Sequence, residues 1–265
     1  MKKILVMLII VIVLSISIST SVFSKNFCTI TTATSTGNFY AAGIALAQLF
    51  DEKLGQILDT KFSAISSSGS VENLDLLKKK EAEIAFMQNN IVLWSHKGLR
   101  IYKGKEFKKI RMILPLFDST YHILVKNNIN SISDLKGKTF VVGRAGSGTE
   151  TSSKAIFAAF GITYDDFKQE YLGHGEAADA LKNGLVDGIL VTASYPSAAV
   201  AQIMISPSRG YKFLNLSDGE VAKINKAEPW IMPFTIPANT YMHQAEPIQA
   251  LRHSSFLVTT DDLSE

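Results

Sequence analysis

Apolar and polar positions along this chain follow two periods. Short runs rich in β-branched and aromatic residues recur at 27–33 (FCTITTA), 61–66 (KFSAIS), 84–87 (IAFM), 121–126 (YHILVK), 139–143 (TFVVG) and 188–192 (GILVT). Runs of that length and composition predict strands. Between them, 38–54, 70–80, 149–160 and 175–184 carry apolar residues at helical spacing. Strands alternating with helices predict an α/β fold with largely parallel sheets.

The pattern also repeats itself. The first half holds TSTGNFYAAGIALAQLF and then SGSVENLDLLKKKEAEIAFMQ; the second holds AGSGTETSSKAIFAAFG and then GHGEAADALKNGLVDGILVTA. In each half a turn of small residues feeds a helix. A second helix opens on glycine and ends in a residue pair (Ala82-Glu83, Val186-Asp187) just before an apolar strand. Two similar α/β lobes follow from this, and a cleft between lobes is a common ligand position.

Residues 1–24 differ in kind. Lys2 and Lys3 precede an unbroken apolar run from Ile4 to Leu14, and small residues close the segment at Ser24. A charged start, an apolar middle and a small-residue exit predict an export signal cleaved near Ser24, with an uncleaved anchor as the alternative. Lys25 and Asn26 stand where a lipobox before Cys28 would need small apolar residues. Periplasmic localisation is expected. Cys28 is the single cysteine, so no internal disulfide forms, and its strand-like setting reads as a buried, inert thiol.

Composition narrows the function. The chain has 265 residues, 46% of them hydrophobic and 19% charged, with a net charge of +3. That balance fits a globular protein and carries no basic stripe for nucleic acid. The stretch GRAGSGTE, from Gly143, has nearly the spacing of a phosphate-binding P-loop. Its lysine position holds Thr149, however, and its Ser/Thr position holds Glu150. Without a lysine for the phosphates or a hydroxyl for magnesium, NTPase chemistry is not expected. The five histidines offer no metal-ligand spacing and read as surface or packing residues. Asp165-Asp166 and Asp261-Asp262 read as caps, and no G-x-S-x-G elbow is present. Neither an enzyme, nor a metal, nor a cofactor is expected. Four Ser-, Thr- and Gly-rich helix starts remain, at Thr36-Gly37, Ser68-Gly69-Ser70, Gly146 to Thr149 and Gly173 to Gly175. Free backbone N–H groups at such ends attract anions without a cationic side chain.

Taken in order and spacing, TSTGNFYAAGIALAQLF, SSGSVENLDLLKKKEAEIAFMQNN, SISDLKGKTFVVGRAGSGTE and GHGEAADALKNGLVDGILVTASYP resemble the TAXI family of TRAP-transporter solute receptors over about residues 27–263. The resemblance implies a type II periplasmic-binding-protein fold, two α/β lobes joined by a hinge with a ligand cleft between them. Lobe I would comprise 25–118 plus 240–265, and lobe II 119–239. It implies a monomer that captures a small carboxylate, such as a glutamate-like amino acid or a dicarboxylate, and presents it to TRAP membrane permease subunits. The alternative is the same fold serving an ABC importer or a membrane sensor.

Carried onto this chain, the resemblance places Thr36, Gly37, Tyr40, Ser68, Gly69, Ser70, Asn73 and Gln88 of lobe I at the ligand. From lobe II it places Gly146, Ser147, Gly148, Thr149, Glu150, Ser194 and Tyr195 there. Glu150 would either receive an ammonium group of the ligand or complement the dipole of its own helix. Three departures stand out. Phe117-Asp118-Ser119 follow Leu116 where the family has Y-P-E. Ala193-Ser194-Tyr195-Pro196 replaces A-G-x-P. The chain ends at Glu265, before the further helices that complete the first lobe in the family.

Overall fold

The computed structural model describes residues 26–205 and 210–263. The expected signal segment, 1–24, lies outside the described residues. Among the described residues, ten strands, numbered in chain order, form one sheet in the order β2-β1-β3-β10-β4-β7-β5-β6, with β8 beside β4 and β9 beside β10.

In the first half, β1 (Asn26–Thr31) lies between β2 (Thr60–Ile65) and β3 (Ile84–Gln88), all parallel. Helix α1 (Asn38–Leu54) lays Ala42, Leu46 and Phe50 on Ile30, Phe62 and Phe86. A Cβ at Gly43 would stand 2.3 Å from Thr32 Cγ2, so glycine lets this helix seat against the sheet. On the other face, α2 (Ser70–Lys79) and α3 (Asn89–Lys97) pack Leu74, Leu77, Ile91 and Trp94 on Ala85 and Met87. Strand β3, IAFMQ, is buried along its whole length. Such a continuous apolar run is what a parallel strand covered on both faces requires. Cys28 is a free, buried thiol in this layer, pushed up to about 11 mainly by burial.

The second half repeats the scheme with β5 (Thr139–Val141) between β6 (Lys168–Glu170) and β7 (Gly188–Ala193), again parallel. Helices α4 (Gly148–Ala159) and α7 (Asp218–Ala227) cover one face through Ile156, Phe157, Val221 and Ile224. Helices α5 (His174–Lys182) and α6 (Ala198–Met204) cover the other through Ala178, Leu181, Val200 and Ile203. Each half is therefore a three-layer unit with its own core.

Two long antiparallel strands join the halves. β4 (Ile110–Lys126) and β10 (Ile248–Thr260) pair from Ile110/Thr260 to Tyr121/Leu251, with β9 (Met232–Ile236) along the start of β10 and β8 (Tyr211–Phe213) beside the end of β4. Register shifts interrupt the ladder between Ser254 and Phe256 and between Leu257 and Val258. Such irregularities bend a ribbon locally. β4 leaves this ladder to pair with β7, whereas β10 pairs with β3. The fold is the two-lobed periplasmic-binding-protein fold that the motif order implies.

Candidate ligand-binding cleft

Four helices point their N-termini into one cavity between the halves. Its wall includes Gly37 and Asn38 at the start of α1, Gly69 and Ser70 at α2, Ser147 and Gly148 at α4, and Gly173 and His174 at α5. Three of the four N-caps are glycines with no side-chain cap bond: Gly37, Gly69 and Gly173. Glycine leaves the first N–H groups uncovered by a side chain, while its backbone can approach a ligand closely. Gly69 and Gly143 carry φ values of 126° and 100°, which only glycine adopts without strain. At about half a positive charge per helix end, four ends supply on the order of two positive charges facing one point. Arg144 adds a cation at the wall, 3.7 Å from the exposed Glu176 carboxylate. No Asp or Glu side chain is among the described residues lining the cavity.

The halves touch around this cavity. The Glu72 N–H donates to the Gly146 carbonyl at 3.1 Å, and the Asn38 amide donates to the Ser194 hydroxyl. A Cβ at Gly148 would lie 2.3 Å from Gln88 Cδ, so the glycine leaves room for the Gln88 carboxamide. The halves leave a cavity of about 50 Å³ between them, partly open to solvent and roomy enough for a few water-sized groups.

Of the residues named from sequence, Gly37, Ser68, Gly69, Ser70, Gln88, Ser147, Gly148 and Thr149 line the cavity. The others stand elsewhere. Thr36 packs its methyl 3.2 Å from the Cβ position of Gly175 and lines a neighbouring surface depression. Tyr40 is half-buried on α1, off the cavity wall. Asn73 is fully buried and saturated: its carboxamide donates to the Thr32 and Phe86 carbonyls at 2.6 and 2.7 Å and accepts from Thr31 and Ser67. Gly146 gives its carbonyl to Glu72. Ser194 is held by Asn38, and the Tyr195 ring lies 5.2 Å from Phe234. Glu150 accepts from the Tyr164 hydroxyl at 3.1 Å, while its backbone N–H is capped by Ser147. Its carboxylate is therefore turned to its own half, in the first turn of α4.

The cavity also holds residues the sequence reading passed over. Arg144 and Thr192 belong to the second half, and Ser119 and His253 come from the crossing strands. Two histidines read as packing or surface residues, His174 and His253, line the cavity. Burial holds both rings neutral, pushing His174 down to about 4 and His253 down to about 3. The signal for His253 lies in the period-2 row Leu251, His253, Ser255, Leu257, each at most 1% exposed. Two polar side chains at inward positions of a buried strand need a reason beyond packing. The aspartate pairs also divide. Asp166 caps Thr163 as expected, but Asp261 and Asp262 instead pair with Arg111 and Lys109, both at 2.7 Å. They stand beside the start of β4 and, among the described residues, head no helix.

Residues 30–265 match the NMT1-like family. The chain belongs to that family. Membership in the NMT1-like family is a coarser statement than the TAXI subdivision expected from motif order. Three solved structures share the fold. The periplasmic aliphatic sulphonate binding protein SsuA from Escherichia coli is 15% identical, with a TM-score of 0.50 over 90% of this chain and 66% of that one. The binding protein component of an ABC phosphonate transporter from Pseudomonas aeruginosa is 13% identical, with a TM-score of 0.53 over 91% and 71%. The effector binding domain of QuiR in complex with shikimate is 12% identical, with a TM-score of 0.51 over 91% and 90%. The NMT1-like chain thus spans about two thirds of the sulphonate-binding structure's length. Among its described residues, no helix is long and apolar enough to cross a membrane.

Proposed function

We propose that this chain is the solute-capturing receptor of a membrane importer, taking a small oxyanion into the cleft and closing over it. The observation that carries the reading is the convergence of four helix N-termini and Arg144 on a cavity with no carboxylate in its wall. Such a site stabilises negative charge through oriented N–H groups together with the Arg144 guanidinium. The wall offers no carboxylate to an ammonium group: Glu150 faces Tyr164, and Glu176 accepts from the Gly173 N–H at 2.8 Å. This favours carboxylates, sulfonates or phosphonates without an amino group over glutamate-like amino acids. The sulphonate and phosphonate receptors of the same fold agree with that choice of charge.

The partner on this reading is an ABC importer, the type to which the phosphonate receptor belongs, and the receptor acts in the periplasm as a binding protein rather than an enzyme. A second reading, the TRAP permease, is favoured by the four ordered motifs. The gene beside this one separates them: an ATPase supports the first and a pair of TRAP membrane subunits the second. Thermal-shift screening against small organic anions tests the receptor itself. An anion at 100 times its Kd adds about 2.7 kcal/mol of stability, and no shift with any of them rejects the reading.

A further inference from the structure

The helix ends form only part of the cavity; the crossing strands supply the rest. His253 on β10 stands directly opposite Ser119 on β4 in the antiparallel register, and both side chains reach the cavity. His253 is 1% exposed, yet neither Nδ1 nor Nε2 has a hydrogen-bond partner. The neighbouring polar groups do not answer it. The Tyr121 ring lies 5.1 Å away at 40°, but its hydroxyl is engaged with Ser152 at 3.0 Å. Ser119 faces the Ser255 hydroxyl at 3.4 Å. The buried His122 and the half-buried His174 are both occupied. His122 lies between the Val191 carbonyl and the Tyr241 hydroxyl, and His174 lies 3.4 Å from the Thr149 hydroxyl.

A buried polar ring with no partner is costly, and an apolar side chain would fill the same inward position on β10 without that cost. We propose that His253 is a ligand-contacting residue, its imidazole N–H donating to an anionic oxygen of the solute from the crossing strands. This rests on the anion-receptor reading above. It adds a requirement on the ligand: at least two oxygens, one for the helix ends and one for the imidazole. Carboxylate, sulfonate and phosphonate groups meet it, and a halide does not. A neutral imidazole provides a directed donor without a fixed charge, consistent with a site that must also release its cargo.

The test is calorimetric titration of the native chain and of His253→Phe with methanesulfonate, methylphosphonate and glutarate. The expected result is a loss of roughly 10- to 100-fold in affinity for whichever probe the native chain binds best. The unliganded Tm should be unchanged or raised, because an unpaired polar ring has been exchanged for an apolar one of similar shape. Affinity within twofold of native overturns the proposal and leaves the anion reading intact. Failure of the native chain to bind any probe overturns both. Should the variant not fold, the imidazole 15N resonances of His253 in the native protein carry the test. A shift on saturation with the bound probe supports the contact, and resonances that do not move refute it.

Discussion

Gly69 and Ser147 face each other across the cleft: a Cβ on the glycine would lie 3.6 Å from both Cα and Cβ of the serine, in ordinary van der Waals contact, so the N-termini of α2 and α4 stand about one methyl group apart. Gly69 also has φ 126°. Gly69→Val combines backbone strain with bulk at the line where the halves touch. We expect anion affinity to fall by roughly tenfold or more through impaired closure, together with a stability loss of about 1–3 kcal/mol. Titration and urea unfolding of the same sample separate the two effects. Native affinity in the variant would show that this contact does not limit closure.

Asn73 should behave differently from the residues of the cavity wall. It ties Thr31, Thr32, Ser67 and Phe86 together from a fully buried position. Asn73→Leu takes the side-chain donor from the Phe86 carbonyl and the acceptor from the Thr31 and Ser67 hydroxyls, while the Thr32 carbonyl keeps Ser67; each buried polar group left unsatisfied costs about 1–3 kcal/mol. The expected outcome is a large fall in the urea midpoint, with the order of preference among anions unchanged. A changed preference without a fall in stability would return Asn73 to the ligand.

Acid should destabilise the fold earlier than carboxylate protonation alone would. Burial lowers His122 and His174 to about 4 and His253 to about 3, against about 6.5 in an unfolded chain. The unfolded state therefore binds more protons between those values. The stabilisation from neutral burial is complete above about pH 6.5 and is lost as pH falls toward 4 and 3. Each such histidine contributes a slope of about 1.4 kcal/mol per pH unit within the window. Urea midpoints from pH 7.5 to 5 should fall accordingly, and His122→Phe should make the slope shallower by about one proton. A flat profile over that range would contradict the burial of neutral rings.

Most of the regular elements were legible in the sequence because their apolar periods are uninterrupted. The stretch 38–54 is α1 to the residue, and the runs at 61–66, 84–87 and 188–192 lie within one residue of β2, β3 and β7. The crossing strands were harder to read. Only 121–126 of the 17-residue β4 was apparent, since Pro115 and the exposed Met112, Ile113 and Leu114 hide the pattern. Proline is tolerated there because, among the described strands, only β10 pairs with that part of β4. β10 went unread because His253 and Ser255 occupy two of its inward positions. The same interruption concealed part of the site. Helix starts announce themselves through Gly, Ser and Thr, and seven of the eight expected residues that line the cavity stand at such starts; the eighth, Gln88, came only from the family resemblance. A histidine inside a strand has no local signature until its neighbours in space are known.

The proposed cleft selects oxyanions and offers no carboxylate to an ammonium group. Glutarate and glutamate differ only in that group, as do 2-hydroxyethanesulfonate and taurine apart from the hydroxyl that replaces it. Calorimetric titration of the native chain with both pairs is the most direct measurement. The amino-free member of each pair should bind at least tenfold more tightly than its amino counterpart. Tighter binding of glutamate or taurine would contradict it.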